Sequence, residues 1–365
     1  MSKDDSVTIA KGIGIILMVL GHSGIPMGKD FIYMFHMPLF FILAGYCFKI
    51  KHLSNFGLFI HRRINGLYIP FVKYGLLFLL LHNLFYQLNI YNGLYGYNGN
   101  TSYIYDIKEM AFHAILNILF IESEGLLGGY WFLPQLFIAS ILGWIVIKLF
   151  QKRKIVGLLS IFFLSVVFNW YGLYVPYTPI SWLSIFATAF FFMGYILKEY
   201  CISLQNKSVF YWGGALLMLI IVLPGSFFWP TGMTRCTPFE QIPYFFSGIA
   251  GSLTVIIFSS WMIRFKNIMS TALIFIGNRT LEILTWHFLS FKIVSLIVIR
   301  FEHLTIEKLA MFPTIKGSES YWLIYTIVGL TVPCMLVYLN YYLKRLLINR
   351  NTYNRILSKW VLRGK

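Results

Sequence analysis

Two histidines near the start of the chain could exchange protons with a substrate. His22 follows Lys11 by eleven residues, and at about 100° per residue this spacing completes roughly three helical turns. One helix would carry both side chains on nearly the same face, about 16 Å apart along its axis. Imidazole trades protons near neutral pH, so His22 is a candidate general base. The alternative is structural: Lys11 would be an ordinary helix-end cation and His22 a helix-end residue beside Ser23.

A second histidine, His36, opens the segment HMPLFF and follows a short connection, GIPMGKD. Such a connection predicts a tight antiparallel hairpin of two helices, which would bring His22 and His36 to the same depth. His36 could then orient or assist the base, or it could be an ordinary member of an aromatic cluster. No G-x-S-x-G elbow and no CxxC pair occurs. The sequence therefore offers neither a serine-hydrolase triad nor a zinc site, and we expect no metal.

The composition predicts the elements that position these side chains. Of the 365 residues, 58% are hydrophobic and only 12% are charged, too few charges to cover the surface of a soluble domain of this size. We predict an all-α integral membrane protein, because a helix of roughly 20 apolar residues crosses the bilayer. About ten runs have this character, near residues 7–25, 31–48, 68–88, 130–150, 155–172, 182–198, 209–228, 243–263, 280–300 and 322–346. Residues 107–121 are shorter and amphipathic, as in an interfacial helix.

The basic residues predict the orientation. Most of the 30 Lys and Arg residues fall in alternate connections between the runs, which places both termini in the cytoplasm. Their scatter among apolar runs explains the net charge of +17 and argues against a nucleic-acid partner. Residues 1–346 would form one membrane domain, embedded in lipid. Residues 347–365 would form a basic cytoplasmic tail on the inner membrane surface.

The longest predicted outer segment, residues 89–129, is rich in Tyr, Asn and Gly and carries Glu122 and Glu124 near its end. Long loops are usually functional or disordered. Tyr and Asn side chains stack on sugars and form hydrogen bonds with them. An interfacial aromatic belt has the same composition, so the segment alone leaves carbohydrate binding and membrane anchoring both open.

Several of these residues together resemble the acyltransferase-3 family of polytopic membrane acyltransferases. The resemblance begins with Lys11-x10-His22 and the FHMPLFF segment around His36, where many members carry Arg in place of Lys11. It continues with the pair Arg62-Arg63 followed by Pro70. Later matches are Trp131-Phe132-Leu133 at the start of a middle span and LEILTWHF, which contains His287.

The resemblance implies transfer of an acyl group, usually acetyl, from cytoplasmic acyl-CoA to a hydroxyl at the outer face. The acceptor would be a surface polysaccharide or a lipid-linked glycan, and the enzyme a multi-pass protein of a bacterial cytoplasmic membrane. Lys11, Arg62, Arg63 and Arg279 lie at predicted inner helix ends, where they could hold the phosphates of acetyl-CoA. His22 would deprotonate the acceptor, or alternatively receive the acyl group itself, and His36 would assist. The candidate acceptor-binding residues are Trp131, Glu122, Glu124 and His287.

Two other classes of protein share the membrane-protein composition. A transporter or flippase for a lipid-linked saccharide would also have about ten spans and a basic inner side. Transporters often consist of duplicated halves with interrupted helices, and the sequence shows no internal repeat. In a multi-span sensor or scaffold the histidines would be incidental.

Overall fold

The computed structural model describes residues 3–95, 101–204, 213, 216–265 and 267–347, and this part of the chain is helical without a β-sheet. Most of the predicted basic tail, residues 348–365, lies outside the described residues. Sixteen helices are numbered here in chain order: α1 Lys3–His22, α2 Lys29–Tyr33, α3 His36–Tyr46, α4 Lys51–Ser54, α5 Phe56–Arg63, α6 Ile69–Leu80, α7 His82–Gln87, α8 Ile107–Ile118, α9 Phe132–Leu149, α10 Lys154–Trp170, α11 Trp182–Leu204, α12 Leu223–Phe228, α13 Gln241–Met262, α14 Ile268–Gly277, α15 Thr280–Phe301 and α16 Trp322–Leu347.

Short helices of other types connect these elements. Ile64–Tyr68 and Met218–Val222 are π-helical, and Gly125–Leu127, Ile306–Ala310 and Glu319–Tyr321 form 3-10 turns. The π-helical turn after α5 joins it to α6 without a break. Such turns often occur at functional sites.

Five segments are long and apolar enough to cross a membrane: Asp5–His22, Phe132–Leu149, Gln241–Met262, Thr280–Phe301 and Glu319–Leu339. Three helices are also apolar but shorter: Lys154–Trp170, Trp182–Lys198 and Ile268–Gly277. Each of the ten predicted runs contains helix in its described part. The protein is therefore an all-helical membrane protein, while the count of ten spans and the orientation stay predictions.

Some predicted runs are divided, and three helices, α4, α5 and α14, lie between the predicted runs. The run 31–48 is split between α2 and α3, and the run 68–88 divides at Leu81. Helix α14 lies where a loop was expected, and the Asn267 side chain caps it by accepting the Ser270 N–H at 2.9 Å. Its ten residues extend only about 15 Å, against about 30 Å of hydrocarbon, so α14 cannot cross alone.

Glycines let the helices that carry the histidines pack tightly against their neighbours. A Cβ on Gly12 of α1 would overlap the backbone of α14, and a Cβ on Gly277 of α14 would overlap the backbone of α1. The same reciprocal contact joins Gly45 of α3 to Gly194 of α11. Small residues permit such close approach between membrane helices. The positions of α1 and α3 are thereby fixed by backbone contact.

Aromatic side chains fill the core beside these contacts. Phe186, Phe190 and Tyr244 are fully buried between α11 and α13, with ring centroids 4.9 Å apart for the two phenylalanines. The Tyr244 hydroxyl donates to the Tyr33 carbonyl oxygen at 3.0 Å. This bond ties α13 to the short helix α2, which matters because α2 carries a side chain of the candidate site.

Candidate active site

A cavity of about 1080 Å³ lies between α1, α3, the start of α9 and the start of α15. Lys11 and His22 both line it, which is the arrangement expected from their eleven-residue spacing. Helix α3 runs antiparallel to α1, because His22 contacts Tyr33 while Gly14 packs against Phe40. The cavity therefore extends along α1 for at least the 16 Å or so that separate Lys11 from His22.

The two ends of the cavity carry different groups. Lys11, Arg63 and Cys47 line the end that faces the start of α1. The other end is lined by His22 and by charged side chains of two connecting segments, Lys29, Asp30, Arg235 and Glu240. Between the ends the wall is mainly apolar and includes Met18, Phe40, Phe132 and Leu284. A long ligand with an anionic head would fit this distribution of charge.

Hydrogen bonds select the tautomer of the neutral His22 ring. The Tyr33 hydroxyl lies 3.0 Å from the Gly21 carbonyl oxygen and 3.3 Å from Nδ1 of His22. A carbonyl oxygen only accepts, so Tyr33 gives its proton to Gly21, and its oxygen accepts from Nδ1–H of His22. The neutral imidazole then has its lone pair on Nε2. His22 is therefore prepared to accept a proton through Nε2.

His36 lies close to this pair. Its Nδ1 donates to the Ile32 carbonyl oxygen at 2.9 Å, and its ring is 5.2 Å from the Tyr33 ring. Tyr33 thus stands between the two histidines, and the hairpin does bring them to one region of the cavity. His36 lines the cavity although only 5% of its surface is exposed.

His287 of α15 lies on another side of His22. The two ring centroids are 5.9 Å apart. Nδ1 of His287 donates to the Ile283 and Leu284 carbonyl oxygens, both at 3.0 Å. Its Nε2 is buried and has no hydrogen-bond partner in the described structure. The structure therefore brings three imidazoles together. His22 and His36 come from the hairpin, and His287 comes from α15.

Only two of the four predicted phosphate-binding cations are among the residues that line the cavity, Lys11 and Arg63. Arg62 is exposed. Arg279 donates from Nη1 to the Phe275 carbonyl oxygen at 2.9 Å, and its guanidinium lies 3.7 Å from the centre of the Phe275 ring.

The predicted acceptor-binding residues are divided in the same way. Trp131 lines the cavity. Glu124 instead pairs with His82, whose Nδ1 lies 3.2 Å from the carboxylate, and Glu122 pairs with His113 at 3.2 Å. The Tyr105 ring stacks between the two histidines, 3.6 Å from His82 and 4.5 Å from His113.

A second cluster, formed by His82, Tyr105, His113, Glu122 and Glu124, holds the described part of the segment 89–129 together. Burial and the nearby Glu124 carboxylate raise the pKa of the Tyr105 phenol, so the ring stays neutral. Asn83 holds the backbone at Tyr105. Its Nδ2 donates to the Tyr105 carbonyl oxygen, and its Oδ1 accepts the Tyr105 N–H, both at 2.9 Å. The cluster is a structural brace of this long segment.

Sequence reasoning missed Tyr33 and the charged groups at the His22 end, Lys29, Asp30, Arg235 and Glu240. Lys29 and Asp30 stand in the hairpin connection, where the expectation was a loop rather than the short helix α2. Arg235 and Glu240 come from the connection between α12 and α13. Nothing in their local sequence signals that this connection reaches the cavity.

These features define a helical membrane protein with a deep cavity, with cations at one end and the imidazole of His22 towards the other. Among the described residues no group of His, Cys, Asp or Glu side chains could hold a metal ion. A family model described as an acyltransferase domain matches residues 4–339. The chain belongs to the acyltransferase-3 family, and it is a membrane acyltransferase. Neither a curated protein nor a solved structure matches it.

Proposed function

We propose that the protein is an O-acetyltransferase of a bacterial cytoplasmic membrane, with ten spans and both termini in the cytoplasm. It moves the acetyl group of cytoplasmic acetyl-CoA to a hydroxyl of a surface polysaccharide or lipid-linked glycan at the outer face. One observation carries the proposal: a single cavity contains Lys11 and Arg63 at one end and His22 about 16 Å further along α1. Acyl transfer across a membrane needs this combination of a donor-binding end and a base.

The cationic end suits the donor. Lys11 and Arg63 supply charge-assisted hydrogen bonds to the phosphates of the CoA moiety, and the Arg63 guanidinium can bind them in bidentate fashion. The apolar wall between the two ends, which includes Met18 and Phe40, accommodates the uncharged arm that bears the thioester. Exclusion of water by this wall protects the thioester from hydrolysis.

The chemistry follows from the free lone pair of His22. Nε2 takes the proton of the acceptor hydroxyl while its oxygen attacks the thioester carbonyl carbon, forming the C–O bond. The resulting tetrahedral intermediate breaks its C–S bond, and the leaving thiolate recovers the proton from Nε2–H. The Tyr33 oxygen, which accepts from Nδ1–H, holds the ring in one tautomer and stabilises the imidazolium that forms between the two steps.

The acceptor enters at the end lined by Arg235 and Glu240. Trp131 offers an aromatic surface on which a sugar ring can stack. His287 lies beside His22, fully buried and outside the residues that line the cavity, and its role in acceptor binding stays a prediction from the sequence. The brace around Glu122 and Glu124 holds the segment that leads into the lining residues Gly128 and Gly129.

Transfer of a labelled acetyl group tests the proposal directly. The purified protein in lipid nanodiscs receives radiolabelled acetyl-CoA and a panel of glycans and lipid-linked saccharides, and labelled ester is counted. The matched pair is His22→Ala and His61→Ala, because His61 is exposed on α5 and not among the lining residues. We expect His22→Ala to lose transfer and His61→Ala to retain it, with equal thermal unfolding. Equal transfer by both variants would remove His22 as the base.

A further inference from the structure

Three apolar side chains form a patch of the cavity wall beside His22. They are Leu284 and Phe288 of α15 and Phe312 of the connection between α15 and α16, and all three line the cavity. The ring centroids of His22 and Phe288 are 5.1 Å apart, and those of Phe288 and Phe312 are 4.4 Å apart. This apolar patch therefore lies at the level of the proposed base.

Close-packed atoms back the apolar patch. A Cβ on Gly128 would lie 3.0 Å from Cζ of Phe312 and 3.4 Å from Cε2 of Phe288, so the backbone of the turn before α9 packs against both rings. On the side of Phe288 within the core, the fully buried ring of Phe291 lies nearly perpendicular to it, with centroids 6.0 Å apart. The patch is therefore a closed wall with little room behind it.

The proposed reaction brings the acyl group close to this wall. Nε2 of His22 takes the proton of a hydroxyl that lies about 3 Å away, and the reacting carbonyl carbon lies about 3–3.5 Å from the hydroxyl oxygen. The carbonyl carbon is therefore within about 6–7 Å of Nε2. The donor arm reaches this point along Met18, about one helical turn before His22, and the acceptor comes from the end lined by Arg235.

The chemistry of the rings beside His22 selects the side on which the acyl chain packs. Tyr33 and Phe288 both lie beside the imidazole and line the cavity. The Tyr33 hydroxyl is engaged with Nδ1 of His22 and with a backbone carbonyl, so this side is polar. Apolar groups gain free energy by contact with an apolar surface. The acyl chain therefore packs on the Phe288 side, against the apolar patch.

We propose that Leu284, Phe288 and Phe312 form the binding wall for the acyl group, and that Phe312 restricts this group to a short chain. The inference rests on the proposed function. The methyl of an acetyl group packs against the rings, whereas each further methylene must displace a side chain of the closed wall. Overpacking of a filled site is unfavourable, and a hydrophobic pocket distinguishes groups that differ by one methylene by about 10- to 200-fold.

Phe312 is the member of the patch that can be shortened with the least effect on the base. Phe288 contacts the His22 ring itself. Phe312 is only partly buried and belongs to a connecting segment, and its ring reaches the wall through the contact with Phe288. Two hydrogen bonds from Lys292 to backbone carbonyls hold this segment independently of the Phe312 side chain.

Truncation of Phe312 tests the restriction. Phe312→Ala opens space beside Phe288, so kcat/KM for butyryl-CoA, divided by kcat/KM for acetyl-CoA, should rise by about tenfold. Phe291→Ala is the matched control, because Phe291 also contacts the Phe288 ring but is not among the lining residues. The control should leave the ratio of the two donors unchanged. An unchanged ratio in Phe312→Ala, or an equal rise in both variants, would overturn the inference.

A leucine pair decides the question if an alanine variant does not fold, as judged by size exclusion and thermal unfolding. Phe312→Leu keeps more of the packing and should still raise the ratio severalfold, while Phe291→Leu should not change it. Folded Phe312 variants that transfer neither acyl group would contradict the inference, because Phe312 would then serve the reaction rather than the choice of chain length.

The wild-type protein separates this inference from the proposed function. It should transfer acetyl and discriminate against butyryl. Butyryl transfer as efficient as acetyl transfer would contradict the restriction by Phe312 and leave the proposed function intact. A wild-type protein that transfers no acyl group from any of these donors would instead contradict the proposed function.

Discussion

The Tyr33 hydroxyl lies 3.3 Å from Nδ1 of His22 and directs its own proton to the Gly21 carbonyl oxygen at 3.0 Å. The relationship crosses the hairpin, because Tyr33 belongs to α2 and His22 ends α1. It selects the tautomer in which Nε2 is the proton acceptor. Tyr33 orients the imidazole as a carboxylate does in many acid–base pairs. Unlike a carboxylate, the neutral phenol introduces no negative charge beside His22.

Tyr33→Phe should lower kcat by about fivefold, because the loss of one hydrogen bond to the imidazole costs about 1 kcal/mol. The KM for acetyl-CoA should not change, since Tyr33 is far from the cationic end. Steady-state acetyl transfer at saturating acceptor measures both quantities. Tyr68→Phe is the matched control, because the Tyr68 hydroxyl also donates to a carbonyl oxygen, that of Ile118, but is not among the lining residues. Equal effects of the two substitutions would count against the tautomer argument.

Arg63→Ala should weaken donor binding at least tenfold with little change in kcat, since it removes a charged partner of the CoA phosphates. Lys11→Ala should act in the same direction. Arg62→Ala, one residue away and exposed, should leave the affinity unchanged. Calorimetric titration with CoA distinguishes the three variants. Equal losses for Arg62→Ala and Arg63→Ala would show that the cavity is not the donor site.

Cys47 provides a natural probe of the donor end, because it is exposed and lines the cavity with Arg63. In a variant that keeps only this cysteine, saturating CoA should slow modification by a maleimide severalfold. The rate is measured by mass spectrometry. A variant that keeps only Cys334, half-buried on α16 and not a lining residue, should react equally with and without CoA. Unchanged reactivity of Cys47 in CoA would contradict donor binding at this end.

Lys292→Met should destabilise the fold by about 1–3 kcal/mol, because buried acceptors lose their donor. Nζ of Lys292 donates to the Leu309 and Met311 carbonyl oxygens, both at 2.8 Å. These bonds hold the segment that places Phe312 against Phe288 on the cavity wall, with ring centroids 4.4 Å apart. Thermal unfolding in detergent gives the comparison. Lys316→Met, at an exposed position, should be neutral, and the idea fails if both variants unfold alike.

Glu124→Gln should cost more stability than Glu122→Gln. The Glu124 side chain is 6% exposed beside a fully buried His82, whereas Glu122 is 26% exposed beside His113. A buried pair that loses its charged member leaves an expensive unpaired group, while a more exposed pair contributes little. Thermal unfolding of the two variants under one set of conditions tests the order. The reverse order would mean that the brace depends on Glu122.

The amino-acid sequence alone was enough to predict the class of the protein and its family. Long apolar runs can be recognised in the sequence without knowledge of the fold. Each membrane helix forms its backbone hydrogen bonds within itself, and it must be long enough to cross the bilayer. The family pattern from Lys11 to His36 is also local, and one helical period places Lys11 and His22 on one face. The helix boundaries were harder to predict from the sequence. The cap at Asn267 and the break between α2 and α3 depend on individual side chains and on packing.

The packing of the helices determines which of these residues share the cavity. Arg62 and Arg63 are adjacent, and about 100° of helical rotation separates an exposed side chain from a lining one. His287 reaches His22 from the far end of the chain, whereas Glu124 turns to His82 instead of the cavity. Such contacts join residues distant in sequence, and they depend on how whole helices pack against one another, through close approaches such as Gly12 on α14 and Gly45 on α11. A single sequence shows where the small residues stand, but it does not show which neighbouring helix each of them will contact.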